Sequence, residues 1–176
     1  MKIFKETQRF NQWWLIILEV VILIIILIDF VKEYQQIDVG TNSKSLTEIT
    51  ISLVGVILVL LFLHTIKLRS KIDETGVSYQ FFPVHLNFKN IPWSDLSKCY
   101  VRKYAAITEY GGWGIRGLSK KGLFGYKKVG RAFNIKGNMG IQLEFKDGGR
   151  LLIGTQDPEK AKLTINSYHH LLKNNS

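Results

Sequence analysis

The stretch Trp13-Trp14-Leu15-Ile16-Ile17-Leu18-Glu19-Val20-Val21-Ile22-Leu23-Ile24-Ile25-Ile26-Leu27-Ile28-Asp29-Phe30 decides how the rest of the chain is read. A run this apolar is not left in water, and as a helix it reaches about 27 Å, close to the roughly 30 Å of a bilayer's hydrocarbon core. A second run of the same length, Ile49 to Ile66, follows a short polar connector that turns at Gly40. The two together predict a transmembrane hairpin, with spans at about residues 13–30 and 49–66. Lys2, Lys5 and Arg9 precede the first span and Lys67, Arg69 and Lys71 follow the second, whereas the connector holds only Lys32 and Lys44. The positive-inside rule then places both termini in the cytoplasm. Trp13 and Trp14 read as interfacial anchors. Within the spans, Glu19 is costly: either it snorkels or is protonated, or it meets a polar partner, for which His64, returning to the same depth, and a partner protein's helix are the candidates. Gly55 and Ser52 are candidates for close helix approach.

Charge is unevenly placed. Residues 1–66 hold five Lys/Arg against six Asp/Glu, and residues 67–176 hold nineteen against eight. The expected organisation is a hairpin segment over residues 1–71 and one basic domain over 72–176, a length sufficient for a single core. A basic domain is attracted to anionic lipid. Cys99 is the one cysteine, so no intramolecular disulfide forms. It falls on the apolar face of a strand beginning at Ser97, with Val101, and reads as core.

The sequence from Ile72 onward breaks into short pieces. Gly76 to Phe82 alternates and stops at Pro83, and Ile91-Pro92-Trp93-Ser94-Asp95-Leu96 reads as a turn. Tyr110 to Tyr126 contains six glycines in seventeen residues. Gly112 to Gly117 matches G-x-G-x-x-G, but Gly122 and Gly125 break the helix that a dinucleotide site requires, and no acidic residue lies between Glu109 and Glu144. The segment reads instead as a long loop, either simply solvated and charged or a contact surface with Trp113 and Tyr126 as apolar contacts and Arg116, Lys120, Lys121, Lys127, Lys128 and Arg131 as a basic rim. Trp113 and the six rim residues are the candidate ligand- or partner-binding residues. Residues 131–136, 141–145 and 150–155 read as a three-strand antiparallel meander, with Asp147-Gly148 turning the second hairpin. Asp157-Pro158-Glu159 opens a helix, and Ala161, Ile165, Tyr168 and Leu172 share one face of it. His169 and His170 are adjacent on that helix, poor geometry for a shared metal.

Ile91-Pro92-Trp93-Ser94-Asp95-Leu96, Gly111 to Gly117, and Gly140 to Pro158 resemble small bacterial membrane proteins that carry a two-helix hairpin followed by a pleckstrin-homology-like domain. The resemblance covers about residues 72–173 and implies an α+β membrane protein: an N-terminal two-helix transmembrane hairpin, then an antiparallel β-sandwich or barrel closed by a C-terminal helix. It implies a multi-pass protein of the bacterial inner membrane. The wider fold hosts lipid, peptide and protein binding. Related sequences often carry a basic residue before the helix-opening proline, where this chain has Asp157.

The expected function is a membrane-anchored, non-enzymatic binding module that recognises a protein segment or acidic lipid headgroups. The alternative is a structural or assembly subunit of a larger membrane complex. A protein partner or a homo-oligomer is compatible with both. No nucleophile with a base, no metal cluster and no paired acid and base points to an enzyme or a cofactor, and no nucleic-acid motif is present.

Overall fold

The computed structural model describes residues 2–11, 13–36, 43–117 and 130–173. They form two compact units, one of Met1–Arg9 with Ile66–Ser176 and the other of Phe10–Thr65. The second is therefore an insertion in the first. The charges divide with them: the first unit carries 22 Lys/Arg against nine Asp/Glu, the inserted one two against five.

The inserted unit is a helical hairpin of α1 (Trp13–Gln36) and α2 (Ser43–Thr65), which lie against each other. Among the described residues no helix is long and apolar enough to cross a membrane. This corrects the transmembrane hairpin and, with it, the multi-pass inner-membrane placement with cytoplasmic termini. The physical reasons lie in particular residues. In α1, the described side chains over residues 15–32 include the charges of Glu19, Asp29 and Lys32. In α2, Glu48 near the start and His64 near the end interrupt the apolar run. Both helices nonetheless leave large apolar side chains exposed, among them Ile17, Leu27, Leu58 and Leu61. A side chain built on Gly55 would meet nothing within 4 Å, so the close helix approach expected there is absent.

The larger unit is α+β with two sheets. The first has the order β1 (Phe4–Arg9), β2 (Lys67–Asp73), β3 (Gly76–Phe82), β4 (Lys89–Pro92), antiparallel throughout. Strand β1 comes from before the insertion, and its last residue, Arg9, lies opposite the first of β2, Lys67. Alternation explains both strands. Phe4 and Gln8 in β1, and Leu68, Ser70 and Ile72 in β2, are buried on the inner face, while the basic residues between them point outward.

A 3-10 turn over Trp93–Asp95 leads into β5 (Leu96–Lys103), followed by α3 (Ala106–Tyr110), β6 (Gly114–Arg116), β7 (Arg131–Asn134), β8 (Met139–Phe145) and β9 (Arg150–Gly154). These strands form the second sheet, with order β5-β8-β9-β7-β6. The expected meander is corrected here. Strand β8 has β5 on one edge and β9 on the other, so β7 takes the free edge of β9 and runs parallel to it. The Asp147-Gly148 turn does form, with Gly149 N donating to Asp147 Oδ1 at 2.8 Å.

The inner faces meet where Tyr79 and Phe81 approach Phe133, with ring centroids 4.9 and 6.0 Å apart. Strand β1 is also held by polar contacts. Gln8 Nε2 donates to Gly154 O at 2.7 Å, and Glu6 accepts from Thr155 Oγ1 at 2.7 Å and from Gln156 N at 2.8 Å. Two helices close the unit, α4 (Pro158–Ser167) and α5 (His169–Lys173). Asp157 caps α4 by accepting from Lys160 N at 3.2 Å. Ala161, Ile165, Tyr168 and Leu172, the spaced apolar positions, are buried, and α4 packs on β1, β2, β5 and β8. Tyr168 Oη donates to Lys2 O at 2.8 Å, tying the closing helices to the N-terminal strand.

Candidate functional site

Trp113 and Arg116 lie at the edge of the second sheet. Helix α3 ends at Gly111, whose φ of 73° puts it in the left-handed region where a glycine ends a helix without strain. The chain then turns through Trp113 into β6, the outermost strand. Trp113 is 39% exposed, and its Nε1 donates to Gly137 O at 3.2 Å, so the ring is fixed while part of it faces outward. Arg116 Nε donates to Trp113 O at 3.0 Å. Gly114 N donates to the buried Asn134 side chain at 2.9 Å, which anchors β6 to β7. Arg131 opens β7 with an exposed side chain, one residue before Ala132, which lies opposite Arg116. Three of the seven candidate residues are thus brought to one sheet edge. Lys120, Lys121, Tyr126, Lys127 and Lys128 lie outside the described residues. Gly114 stands inside a strand, so the G-x-G-x-x-G match does not have its phosphate-binding context.

At the opposite end of the sheet, on β5, β8 and α3, is a polar network that the sequence pattern did not announce. Arg102 on β5 makes a two-pronged contact with Glu109 on α3, Nη2 to Oε2 at 2.8 Å and Nη1 to Oε1 at 3.2 Å. Arg102 also donates from Nε to Gln142 Oε1 at 2.9 Å and from Nη2 to Tyr110 Oη at 3.2 Å. Glu109 additionally accepts from Ala105 N at 2.8 Å. The guanidinium beside Glu109 holds its carboxyl below the usual range, against the opposing effect of burial. With all these contacts made, the network fixes α3 on the sheet. Only the seven-residue spacing of Arg102 and Glu109 hinted at it, and that spacing has no meaning across a strand-to-helix turn.

Cys99 is buried, and burial pushes its thiol up, away from the thiolate that nucleophilic chemistry requires. Among the described residues, no group of three His, Cys, Asp or Glu is placed to hold a metal ion. His169 and His170 are both exposed on α5.

In the helical hairpin, Glu19 and His64 do meet, with Nε2 3.8 Å from Oε2. His64 Nδ1 lies 2.9 Å from Leu60 O. The His64 side chain is about half exposed and that of Glu19 largely covered.

No known protein family, curated protein or solved structure matches the chain.

Proposed function

We propose that this chain is a non-enzymatic binding module for an acidic partner. One observation carries the reading: the larger unit holds 22 of the 24 Lys/Arg against nine Asp/Glu, and its exposed cations include Lys5, Arg9, Arg69, Lys98, Arg131 and Arg150. Such an imbalance works against the compact state through self-repulsion while raising the local concentration of anions. Trp113, Arg116 and Arg131 supply a fixed aromatic and two cations at one edge, a combination suited to anchoring a protein segment.

A second reading, a subunit of a larger assembly, is favoured by the apolar side chains that α1 and α2 leave exposed. Binding of the full chain to a polyglutamate peptide and to vesicles containing phosphatidylglycerol, each over a salt series, tests the leading reading. Binding to at least one is expected, weakening steeply with salt, and Trp113→Ala with Arg116→Gln and Arg131→Gln is expected to weaken peptide capture about tenfold or more. Absence of binding to both ligands at low salt would sink it and leave the assembly reading, which crosslinking would then have to support with a stoichiometric partner.

A further inference from the structure

The residues that the charge pattern presents as flanks of the two apolar runs are cross-strand neighbours. On the outward face of β1 and β2, Lys5 lies directly opposite Lys71, Thr7 opposite Arg69, and Arg9 opposite Lys67. Like charges placed opposite each other destabilise an antiparallel pair, and this face has two such rows. Lys71 is paired with Asp73, and Arg69 Nη1 donates to the neutral Gln80 Oε1 at 3.3 Å. Lys5, Arg9, Lys67 and Arg69 have no carboxylate within ion-pair distance among the described residues. Four unneutralised cations therefore share the outward face of β1 and β2, where backbone positions lie about 5 Å apart across strands and alternate residues about 7 Å apart along them.

The same face has an apolar side. Gln80 Nε2 donates to Leu86 O at 2.6 Å, which ties the loop between β3 and β4 to the neighbourhood of Arg69. On that loop Val84, Leu86 and Phe88 are 62%, 75% and 49% exposed. The loop is not frayed outward: His85 packs on Tyr79 and Phe133, with centroids 5.5 and 5.3 Å apart. The loop is thus held at a fixed base, with the Leu86 backbone on Gln80, the neighbour of Arg69, and its apolar side chains exposed.

We propose that this face, Lys5, Arg9, Lys67 and Arg69 with the Leu86 and Phe88 loop, is a docking surface for an anionic phospholipid layer. A face of unneutralised cations complements an anionic layer, each Lys or Arg adding about fivefold to binding near such a surface. Exposed Leu and Phe side chains beside it gain by entering the acyl region. An acidic peptide satisfies the cations alone. This surface presupposes that the chain binds an acidic ligand, and it narrows that ligand to a phospholipid.

The test uses the full chain and two vesicle types, phosphatidylcholine alone and phosphatidylcholine with phosphatidylglycerol. Apolar adsorption common to both cancels in the ratio of the two affinities. Lys5→Gln, Arg9→Gln, Lys67→Gln and Arg69→Gln together, at about fivefold each, are expected to lower that ratio about six-hundredfold. Lys103→Gln, Lys146→Gln, Lys160→Gln and Lys162→Gln, an equal change in net charge on other elements, are expected to lower it less than about tenfold. The first variant is also expected to melt higher than wild type, since it relieves the like-charge rows. Should it instead fail to fold, Leu86→Ser with Phe88→Ser decides, with an expected loss of about tenfold or more on the anionic vesicles. Equal losses from the two four-residue variants, or no loss from the loop variant, would overturn the surface while leaving acidic-ligand binding intact. Wild type that captures polyglutamate but shows no anionic-vesicle preference would overturn the phospholipid as ligand, and wild type that binds neither removes the underlying reading as well.

Discussion

Gly76→Ala is expected to cost about 4 kcal/mol of stability in the larger unit, a large share of the roughly 5–15 kcal/mol by which a domain is stable. Gly76 opens β3 at the tight turn from β2, with a φ of 146° that a side chain rarely adopts, and strain of that kind costs about 1–3 kcal/mol. Space adds a second cost. A methyl group there would lie 2.0 Å from Ile91 O and 2.8 Å from Pro92 Cα. Both contacts are backbone atoms of β4, so relief requires β3 and β4 to separate where Gly76 pairs with Pro92. Overpacking of this kind adds about 1–3 kcal/mol more. A urea titration followed by circular dichroism checks it, and a loss below about 1 kcal/mol would contradict the register of β3 on β4.

Trp93→Ala is expected to be nearly as damaging, about 3–5 kcal/mol. Trp93 is 3% exposed, and its ring stacks on Tyr168 with centroids 5.8 Å apart and planes at 29°. Its Nε1 donates to Asp73 O at 2.9 Å. One side chain therefore joins the turn between β2 and β3 to the end of the closing helix α4. Asp73 is fixed independently: burial acts to raise its carboxyl, but hydrogen bonds from Lys71 and Thr75 outweigh that and hold it at about 2. Trp93→Phe keeps most of the packing and loses the indole hydrogen bond, so a loss of about 1–2 kcal/mol is expected. Equal losses from Phe and Ala, measured in the same urea titration, would mean that packing on Tyr168 contributes little.

Local chemistry made parts of this fold legible from residues alone. The Asp147-Gly148 turn, the Asp157 cap with Pro158, and the buried positions from Ala161 to Leu172 each depend on neighbours in sequence, and each is where the pattern puts it. The misses are nonlocal. Phe4–Arg9 and Lys67–Asp73 are strands separated by the whole inserted unit, and their outward residues are so strongly basic that charge asymmetry explained them before alternation did. Strand β7 joins β9 in parallel because β5 occupies the other edge of β8, which no short window reveals. In α1 and α2, hydropathy shows that a surface needs covering, not what covers it. As for the candidate site, a glycine-rich stretch pointed to Trp113 and Arg116, whose placement the structure ties to Gly137 and Asn134, residues about twenty positions away.

One folded unit is built from both sides of the insertion, and its cations on β1 and β2 are brought to one face by that pairing. Because Arg9 and Lys67 are direct partners, replacing residues 10–66 with Asn-Gly joins β1 to β2 as an ordinary tight hairpin. Hydrogen exchange on that shortened chain is the most direct measurement. Slow exchange shared by the inward amides of Phe4–Arg9, Lys67–Asp73 and the second sheet, lost together in one cooperative melt, is the predicted result. Fast exchange over Phe4–Arg9 while the remaining strands stay protected would contradict it, showing that the first nine residues do not belong to the fold.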